Sequence, residues 1–304
     1  MHDRADGRPS APLFDVYAVV DWSARSQPAQ GTDSIWLAEL TADGRLRLSN
    51  PPTRRDAEQS LWDLLDRCRE IRVLLTIDVA LGYPSGTAAL FGLQGNPWMA
   101  IWSELARLAT DDHRNRNNRF DVAAELNRRG GLDHGPFWGC PADRACHTLQ
   151  PNKWAGGTVP VAEFRESERA LRAAGRSPKS VWQLLGAGSV GSQTLTALPV
   201  LEHCRSELGR RFGVWPFTTG LTCPVPLPGD VVVAEIWPSL FPLDDDSVGM
   251  VRDAAQVRAT AQALANADRA GELASWFSID LPSSPRDAVE QEEGWILAPP
   301  SWWA

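Results

Sequence analysis

The sequence is poor in cysteine and contains no CxxC pair. Its five cysteines, an odd number, stand at positions 68, 140, 146, 204 and 223 and follow no disulfide-framework spacing. We therefore expect a reducing compartment, the cytoplasm. The first dozen residues lack an apolar core and mix charge, Pro and Gly. For this reason we expect residues 1–13 to be a disordered lead-in and not a signal peptide.

Basic residues are fewer than acidic ones, and long unbroken apolar runs are missing. The 30 Lys and Arg against 38 Asp and Glu give a net charge of -8, which disfavours loose, salt-driven association with nucleic acid or an anionic membrane. A phosphate-bearing small molecule or a structured nucleic acid must therefore be held by local contacts. The uncharged stretches 79–103 and 180–201 are interrupted by Gly, Pro, Gln, Asn or Ser, so we interpret them as buried interior and not as membrane spans.

The apolar pattern predicts one α/β domain. With 43% hydrophobic residues, a chain of 304 residues can fill a substantial core. Alternation and apolar runs predict strands at 16–23, 34–40, 46–48, 73–79 and 231–236. The predicted helices are 55–69, 98–109, 119–129, 163–174, 193–211 and 250–266. We therefore expect a single domain over 14–304, with a mixed five-stranded sheet and a large helical insertion at about 84–215.

Three predicted strands each carry one carboxylate among apolar residues, and the last predicted helix carries a fourth. These acids are Asp21, Asp78, Glu235 and Asp253. A carboxylate buried without a partner is costly, so such acids face a cation, a donor or a bound metal. Hard cations take oxygen ligands, and two Mg²⁺ or Mn²⁺ ions about 4 Å apart can activate water against a phosphodiester. The four acids therefore predict a divalent-metal site in which they are ligands and catalytic residues. The alternative is that each acid caps a helix, pairs with an arginine or ends a strand at the surface.

The element order, with acids on the first strand, the fourth strand and the last helix, is that of the ribonuclease H-like fold. Seven segments also resemble those of an uncharacterised bacterial family. They are Asp21-Trp22-Ser23-Ala24, Ile77-Asp78 running to Gly82-Tyr83-Pro84, Asn118-Arg119-Phe120, Gly135-Pro136-Phe137-Trp138-Gly139-Cys140-Pro141, Gly188-Ser189-Val190-Gly191-Ser192-Gln193, Ala234-Glu235-Ile236-Trp237-Pro238-Ser239-Leu240 and Asp253-Ala254-Ala255-Gln256-Val257-Arg258. The resemblance runs from about residue 16 to residue 295.

The resemblance implies a ribonuclease H-like fold and a nuclease-like hydrolase. Members of the family are described as predicted nucleases of this fold, and close relatives often carry an automatic label for molybdopterin guanine dinucleotide synthesis. Two other functions therefore stay open: a cofactor-biosynthesis enzyme acting on a guanine nucleotide or molybdopterin, and a non-catalytic nucleotide-binding protein. The chain departs from the family after Asp78, where relatives usually show an aromatic residue and proline and this chain has Val79-Ala80-Leu81. The departure bears on the shape of the predicted site beside Asp78.

Several residues outside the acid set are candidates for substrate contacts. The basic run 113–119 is either solvated surface or a phosphate clamp, and Arg165 with Glu168 is either a helix pair or an orienting pair. A ring among Trp22, Trp138 and Trp237 could stack on a base or a pterin. The substrate-binding candidates are Ser23, Asn118, Arg119, Trp138, Arg165, Ser189 and Gln193.

Two further motifs have weaker functional interpretations. Gly186, Gly188 and Gly191 match GxGxxG, but no second predicted strand carries the ribose-binding acid of a dinucleotide site. We expect these glycines to allow close backbone approach to a substrate or another helix at the start of the helix 193–211, whose N-terminus could receive an anion. A possible zinc set, His134, Cys140, Cys146 and His147, matches no common spacing. Cys140 as a nucleophile would need a base that the sequence does not identify.

Overall fold

A single mixed sheet runs through the protein. The computed structural model describes residues 11–131, 134–153, 156, 158–186 and 188–303. The strands are β1 (Val16–Asp21), β2 (Trp36–Thr41), β3 (Leu46–Ser49), β4 (Val73–Ile77), β5 (Phe212–Val214) and β6 (Val231–Glu235). They hydrogen-bond in the order β3-β2-β1-β4-β6-β5. β2 is antiparallel to β1 and to β3, whereas β1, β4, β6 and β5 run parallel. Residues 1–10 of the expected lead-in lie outside the described residues.

Nine α-helices lie in the described part of the chain. They are α1 (Arg54–Arg67), α2 (Thr87–Leu90), α3 (Pro97–Leu108), α4 (Arg119–Arg129), α5 (Glu166–Ala173), α6 (Gly191–Leu208), α7 (Arg252–Arg269), α8 (Leu273–Trp276) and α9 (Ser283–Ala288). Local chemistry sets several of their ends. Thr53 caps α1 by accepting from the Asp56 N–H, and Asn96 followed by Pro97 begins α3.

The two faces of the sheet carry separate apolar clusters. Val16, Ala18 and Val20 of β1 pack with side chains of α1, α3, α4 and α6. Tyr17 and Val19 point the other way, into a cluster that includes α7. This alternation follows from the period of two in a β-strand. The structure is therefore a sheet with helices on both sides, and residues of β1 alternate between these two environments.

The sheet has six strands and not the predicted five. The missed strand, β5, has only three residues and follows directly on a helical segment, so it offers no alternation to read. The predicted insertion supplies α3, α4 and α6, whose side chains cover one face of the sheet together with α1. Three predicted helices begin two or more residues away from the expected position. α5 starts at Glu166, where the Glu168 carboxylate accepts from the Arg165 N–H; α6 starts two residues early, at Gly191; and α7 starts two residues late, at Arg252.

The two uncharged stretches form interior helices. Residues 79–103 include α2 and the first half of α3, and residues 180–201 include most of α6. Trp102 and Leu198, one from each stretch, are fully buried in the same cluster. Among the described residues, no helix combines the length and the apolar character that crossing a membrane requires.

Candidate active site at the carboxyl ends of the parallel strands

All four predicted acids lie at one end of the sheet. Asp21 is the last residue of β1, and Asp78 directly follows β4. The Asp78 N–H donates to the Val20 carbonyl at 2.9 Å, so the pairing of the two strands continues to this residue. Glu235 ends β6, and Asp253 lies in the first turn of α7, which packs on β1 and β2. Parallel neighbouring strands bring their carboxyl ends to one edge, so the arrangement follows from the topology.

The side chains of Asp21 and Asp78 are half-buried carboxylates without a neutralising partner. Within the described ranges, neither carboxylate accepts a hydrogen bond or forms an ion pair. Burial, and then the charges of Asp78, Asp253 and Asp33, raise the pKa of Asp21 well above its usual value. Burial and then the charge of Glu235 raise the pKa of Asp78 to about 7. The folded protein therefore disfavours two negative charges here, and a bound cation would relieve that cost.

Asp253 is held beside this pair by a loop that the sequence did not single out. Its Oδ2 accepts a hydrogen bond from the Asp33 N–H at 2.7 Å. Burial raises the pKa of Asp253 too, and the Asp33 N–H opposes that rise. Asp33 has a φ of 54°, a left-handed conformation that is uncommon outside glycine. The polar loop before β2 thus adds a residue to the site, and its only signal in the sequence is its polarity.

Glu235 faces the opposite side of the sheet from Asp21. In the parallel pairings Glu235 lies beside Ile77, and Ile77 lies beside Val20. Aligned residues of parallel strands share a face and successive residues alternate, so Asp21, which follows Val20, points away from Glu235. α7 and Asp253 lie on the Asp21 side. Strand parity therefore places Glu235 and Asp21 on opposite faces, while Asp78 stays close enough to Glu235 for the charge of Glu235 to raise its pKa.

The Glu235 carboxylate belongs to a buried ion pair. Arg165 Nη1 donates to Glu235 Oε2 at 2.7 Å, and Nη2 donates to Oε1 at 2.6 Å. The Leu81 N–H donates to Oε2 at 3.1 Å. Both oxygens are therefore engaged, as the arginine-pairing alternative expected. Arg165 already neutralises the charge that Glu235 would offer to a metal ion.

Arg165 has no donor left for a substrate. It is 1% exposed. Its Nε donates to Glu168 Oε1 at 3.0 Å, Nη1 also donates to the Glu293 carbonyl at 2.9 Å, and Nη2 also lies 2.9 Å from Glu168 Oε1. With the two bonds to Glu235, four of the five N–H groups of the guanidinium donate hydrogen bonds, and the remaining Nη2 N–H lies beside the Glu168 carboxylate. Glu168 Oε2 also accepts from the Arg165 backbone N–H at 2.9 Å at the start of α5, so the pair holds structure together.

A cavity of about 360 Å³, which we call the acid pocket, opens over Asp21 and Asp253. Arg119, the first residue of α4, lies in its wall. Arg119 Nε donates to Ser192 Oγ at 2.9 Å, and Nη1 donates to Asn117 Oδ1 at 2.8 Å. No carboxylate within the described part of the chain forms an ion pair with this guanidinium. Burial, and then the charge of Arg54, lower its pKa to about 10, so an anion in the pocket would be favourable for Arg119.

The other substrate-binding candidates fall into two groups. Ser23, Ser189 and Gln193 line the acid pocket together with Arg119. Asn118 and Trp138 serve the fold instead. Asn118 does not cap α4 with its side chain, because its Oδ1 accepts from the Thr110 N–H at 2.7 Å and its Nδ2 donates to the Leu108 carbonyl at 2.9 Å, which ties α4 to the end of α3. The Trp138 ring packs against the cluster under the sheet.

The glycine motif does not belong to a dinucleotide fold in the described residues. The apolar run before it forms a turn and a single bridge, not a strand, so the required βαβ unit is missing there. A Cβ added at Gly191 would lie 2.4 Å from the Val181 carbonyl oxygen and 2.6 Å from that of Gln183. Glycine is therefore needed for the close passage of two backbone segments at the start of α6. The segment that approaches is 181–183, and not the substrate or the other helix that the sequence suggested.

The zinc and thiol interpretations gain no support. Within the described ranges, no three His, Cys, Asp or Glu side chains are placed so that they could hold a metal ion together. This applies to the His134, Cys140, Cys146 and His147 set and also to the acid site. Cys140 is buried, and burial raises the pKa of its thiol, which disfavours the reactive thiolate.

Comparisons of the chain with protein-family models, with curated proteins and with solved structures find no match. Arguments about its chemistry therefore rest on its own residues.

Proposed function

We propose that the protein is a metal-dependent hydrolase of a phosphodiester or nucleotide-like substrate, built on a ribonuclease H-like sheet. The fold part of the proposal is supported by the βββαβ start, by the parallel strands β1, β4 and β6, and by the final long helix α7. The functional part rests on one observation: Asp21 and Asp78 lie side by side at the carboxyl ends of neighbouring strands with no partner for either charge in the described residues.

The donor chemistry of this pair fits Mg²⁺ or Mn²⁺. Both are hard cations that take oxygen ligands, and Mg²⁺ is commonly held by one or two carboxylates, several waters and the phosphates of a substrate. Asp21 and Asp78 would be the protein ligands, with Asp253 as a further carboxylate whose charge acts on Asp21. A third ligand from the protein is not required for such a site. When bound, the cation would neutralise charge on a phosphate and orient it for attack by water.

Arg119 would hold the phosphate on the opposite side of the acid pocket. Its guanidinium is fixed by Ser192 and Asn117 and keeps donor capacity for an anion. Arginine suits phosphate because its planar fork can donate two parallel hydrogen bonds. The side chains of Ser23 and Ser189 line the same pocket and add neutral donors. The pocket thus combines the carboxylates of Asp21 and Asp253 with Arg119, whose charge no carboxylate neutralises within the described residues.

The test is hydrolysis of bis(p-nitrophenyl) phosphate and of a panel of nucleotides that includes guanine nucleotides, with Mg²⁺ or Mn²⁺ and with EDTA. We expect metal-dependent turnover that Asp21→Asn and Asp78→Asn abolish, while the surface variant Asp66→Asn retains it. We also expect activity to increase as the pH rises through about 7, because protons compete with metal for Asp78. Turnover that survives both Asn variants would contradict the proposal. Joining of a guanine nucleotide to another molecule, without hydrolysis, would favour the cofactor-biosynthesis alternative.

A further inference from the structure

A second cavity, of about 340 Å³, adjoins the acid pocket. The two cavities share Gly188 and Gln193 in their walls, and Asp78 lies in the wall of the second. Asp21 belongs to the first cavity, so the unpaired acids lie at the junction of the two. We call the second one the Trp237 cavity. Its apolar walls come from Val79, Val190, Trp237 and Ile296.

Trp237 is half-buried and packs against neither apolar cluster in the described residues, whereas the half-buried Trp138 packs against one of them. The Trp237 ring forms no aromatic pair and its indole no hydrogen bond within the described residues. Trp22, by contrast, is 1% exposed and donates from Nε1 to Thr196, and the Trp62 ring packs edge-on against His203. An aromatic face left open inside a cavity is the usual platform for stacking a nucleobase.

The backbone around Trp237 is fixed. Pro238 begins a short 3₁₀ turn directly after it, and the Leu240 N–H donates to the Trp237 carbonyl at 3.1 Å. β6 anchors the segment on the other side. A fixed backbone leaves only the two side-chain torsions of Trp237 to be ordered when a ligand stacks on the ring, which favours binding.

Polar groups in the same wall can read the edge of a base. Gln193 Nε2 donates to the Trp22 carbonyl at 2.6 Å, which fixes the amide. Its Oε1 accepts no hydrogen bond from any described residue and remains available to a ligand donor. The hydroxyls of Ser177 and Ser239 lie in the wall and are exposed. Charged side chains line the cavity too: Asp78, Lys179 and the ion-paired Arg165, Glu168 and Glu235. Polar groups placed beside an apolar wall fix the orientation of a ligand in a small-molecule site.

We propose that the Trp237 cavity binds the nucleobase of the substrate, stacked on the Trp237 ring, while the attached phosphate passes Gly188 and Gln193 to reach Asp21 and Asp78. This inference rests on the proposed function and names its substrate class: a mononucleotide, or the terminal nucleotide of a single strand. The volume supports a single nucleoside, because small-molecule sites span about 300–1,000 Å³ and this cavity is at the lower end. A base paired in a duplex would not present its face to the ring.

The test separates base binding from metal chemistry by omitting both metal and phosphate. Guanosine, adenosine and cytidine are titrated into the full chain in EDTA by isothermal calorimetry, with ribose as the ligand that lacks a base. We expect nucleosides to bind more tightly than ribose. We expect Trp237→Ala to weaken nucleoside binding by about 10-fold or more, in line with the contribution of one stacked base. Trp237→Phe should restore most of it, and Trp62→Phe, remote from the cavity, should change nothing.

Each outcome bears on the proposal. Nucleosides that bind no better than ribose, or as tightly to Trp237→Ala as to the wild type, would overturn it, even if metal-dependent hydrolysis is found. Loss of nucleoside binding in Trp237→Ala alone would support it, even if hydrolysis is absent and the proposed function fails. If hydrolysis is found, Trp237→Ala should raise KM and leave kcat within a few-fold. Circular dichroism of Trp237→Ala, with Trp237→Phe as the second variant, excludes simple misfolding.

Discussion

Two groups of carboxylates lie at the same end of the sheet, and only one of them is neutralised. On one face, Glu235 and Glu168 are both paired with the guanidinium of Arg165. At the other group, Asp21 and Asp78 have no partner in the described part of the chain, and burial raises the pKa of both. Carboxylates at the same end of one sheet thus serve two purposes. One group stabilises the fold, and the other is a candidate functional site.

The difference shows that partners, more than burial, separate structural acids from candidate functional ones. Glu235 is more buried than Asp21, yet its charge is matched by a bidentate arginine. A matched carboxylate stabilises the fold as long as its partner remains. An unmatched one costs stability in the absence of a ligand, and sites that carry such a cost are candidates for function.

Removal of Arg165 should give the largest effect on stability. In Arg165→Met, Glu235 and Glu168 would be buried without a cation, so we expect the free energy of unfolding to fall by about 3–5 kcal/mol. Urea denaturation followed by circular dichroism measures this. The control is Arg169→Met, whose partner Glu166 lies nearer the surface, so we expect a loss below about 1 kcal/mol. Equal effects of the two variants would remove the distinction between the two groups of acids.

Neutral replacements of single acids should sharpen the comparison. Glu235→Gln loses a charge-assisted pairing with Arg165, so we expect a loss of about 1.5–3 kcal/mol in the free energy of unfolding without metal. Asp21→Asn removes an unmatched charge, so we expect no loss or a gain in the same denaturation experiment. Asp268→Asn is a second reference, because Asp268 accepts from Leu13, Phe14 and Tyr17 and should lose stability like Glu235. Destabilisation of Asp21→Asn to the same extent would make Asp21 a structural residue.

The pH dependence of stability should show a smaller effect than these substitutions. A paired acid stabilises the folded protein as the pH rises, and Asp78 should do the opposite. Asp78 titrates near 3.8 when unfolded and near 7 when folded, so between these values the folded protein binds more protons. The free energy of unfolding without metal should therefore fall as the pH rises from about 4 to about 7. We expect the fall to exceed about 1 kcal/mol, since one pKa unit corresponds to about 1.4 kcal/mol. Asp78→Asn should flatten this part of the curve, and an unchanged slope would contradict the assignment.

The sequence predicts this architecture well where its signals are local. The bounds of α4 match the prediction, and the carboxylates at the ends of β1 and β4 follow directly on apolar runs. The face on which Glu235 lies could not be read, because the apolar run of β6 shows no alternation. Its partner Arg165 lies 70 positions away in the chain, so only the fold brings the two together. Without that contact, Glu235 and Asp78 look equivalent in the sequence.

The residues of the site other than the four acids were predicted only in part, because several of their roles depend on contacts that only the fold creates. Arg119 and Gln193 stood in recognisable motifs and both line the acid pocket. Asp33 did not, because its role depends on a backbone N–H and on a loop conformation, and neither leaves a mark on residue type. Ser192 lies in one of the seven segments that resemble the bacterial family. Its residue type alone did not indicate that its hydroxyl would accept a hydrogen bond from Arg119.

Binding of Mn²⁺ to the metal-free protein tests the central claim most directly. An electron paramagnetic resonance titration counts free Mn²⁺ against wild type, Asp21→Asn, Asp78→Asn and the surface control Asp66→Asn. We predict that the wild type and the control bind Mn²⁺ equally well, and that each of the two Asn variants at the acid pair binds at least about 10-fold more weakly, as expected when a carboxylate ligand is lost. A wild-type protein that binds no Mn²⁺, or Asn variants that bind it as tightly as the wild type, would contradict the account.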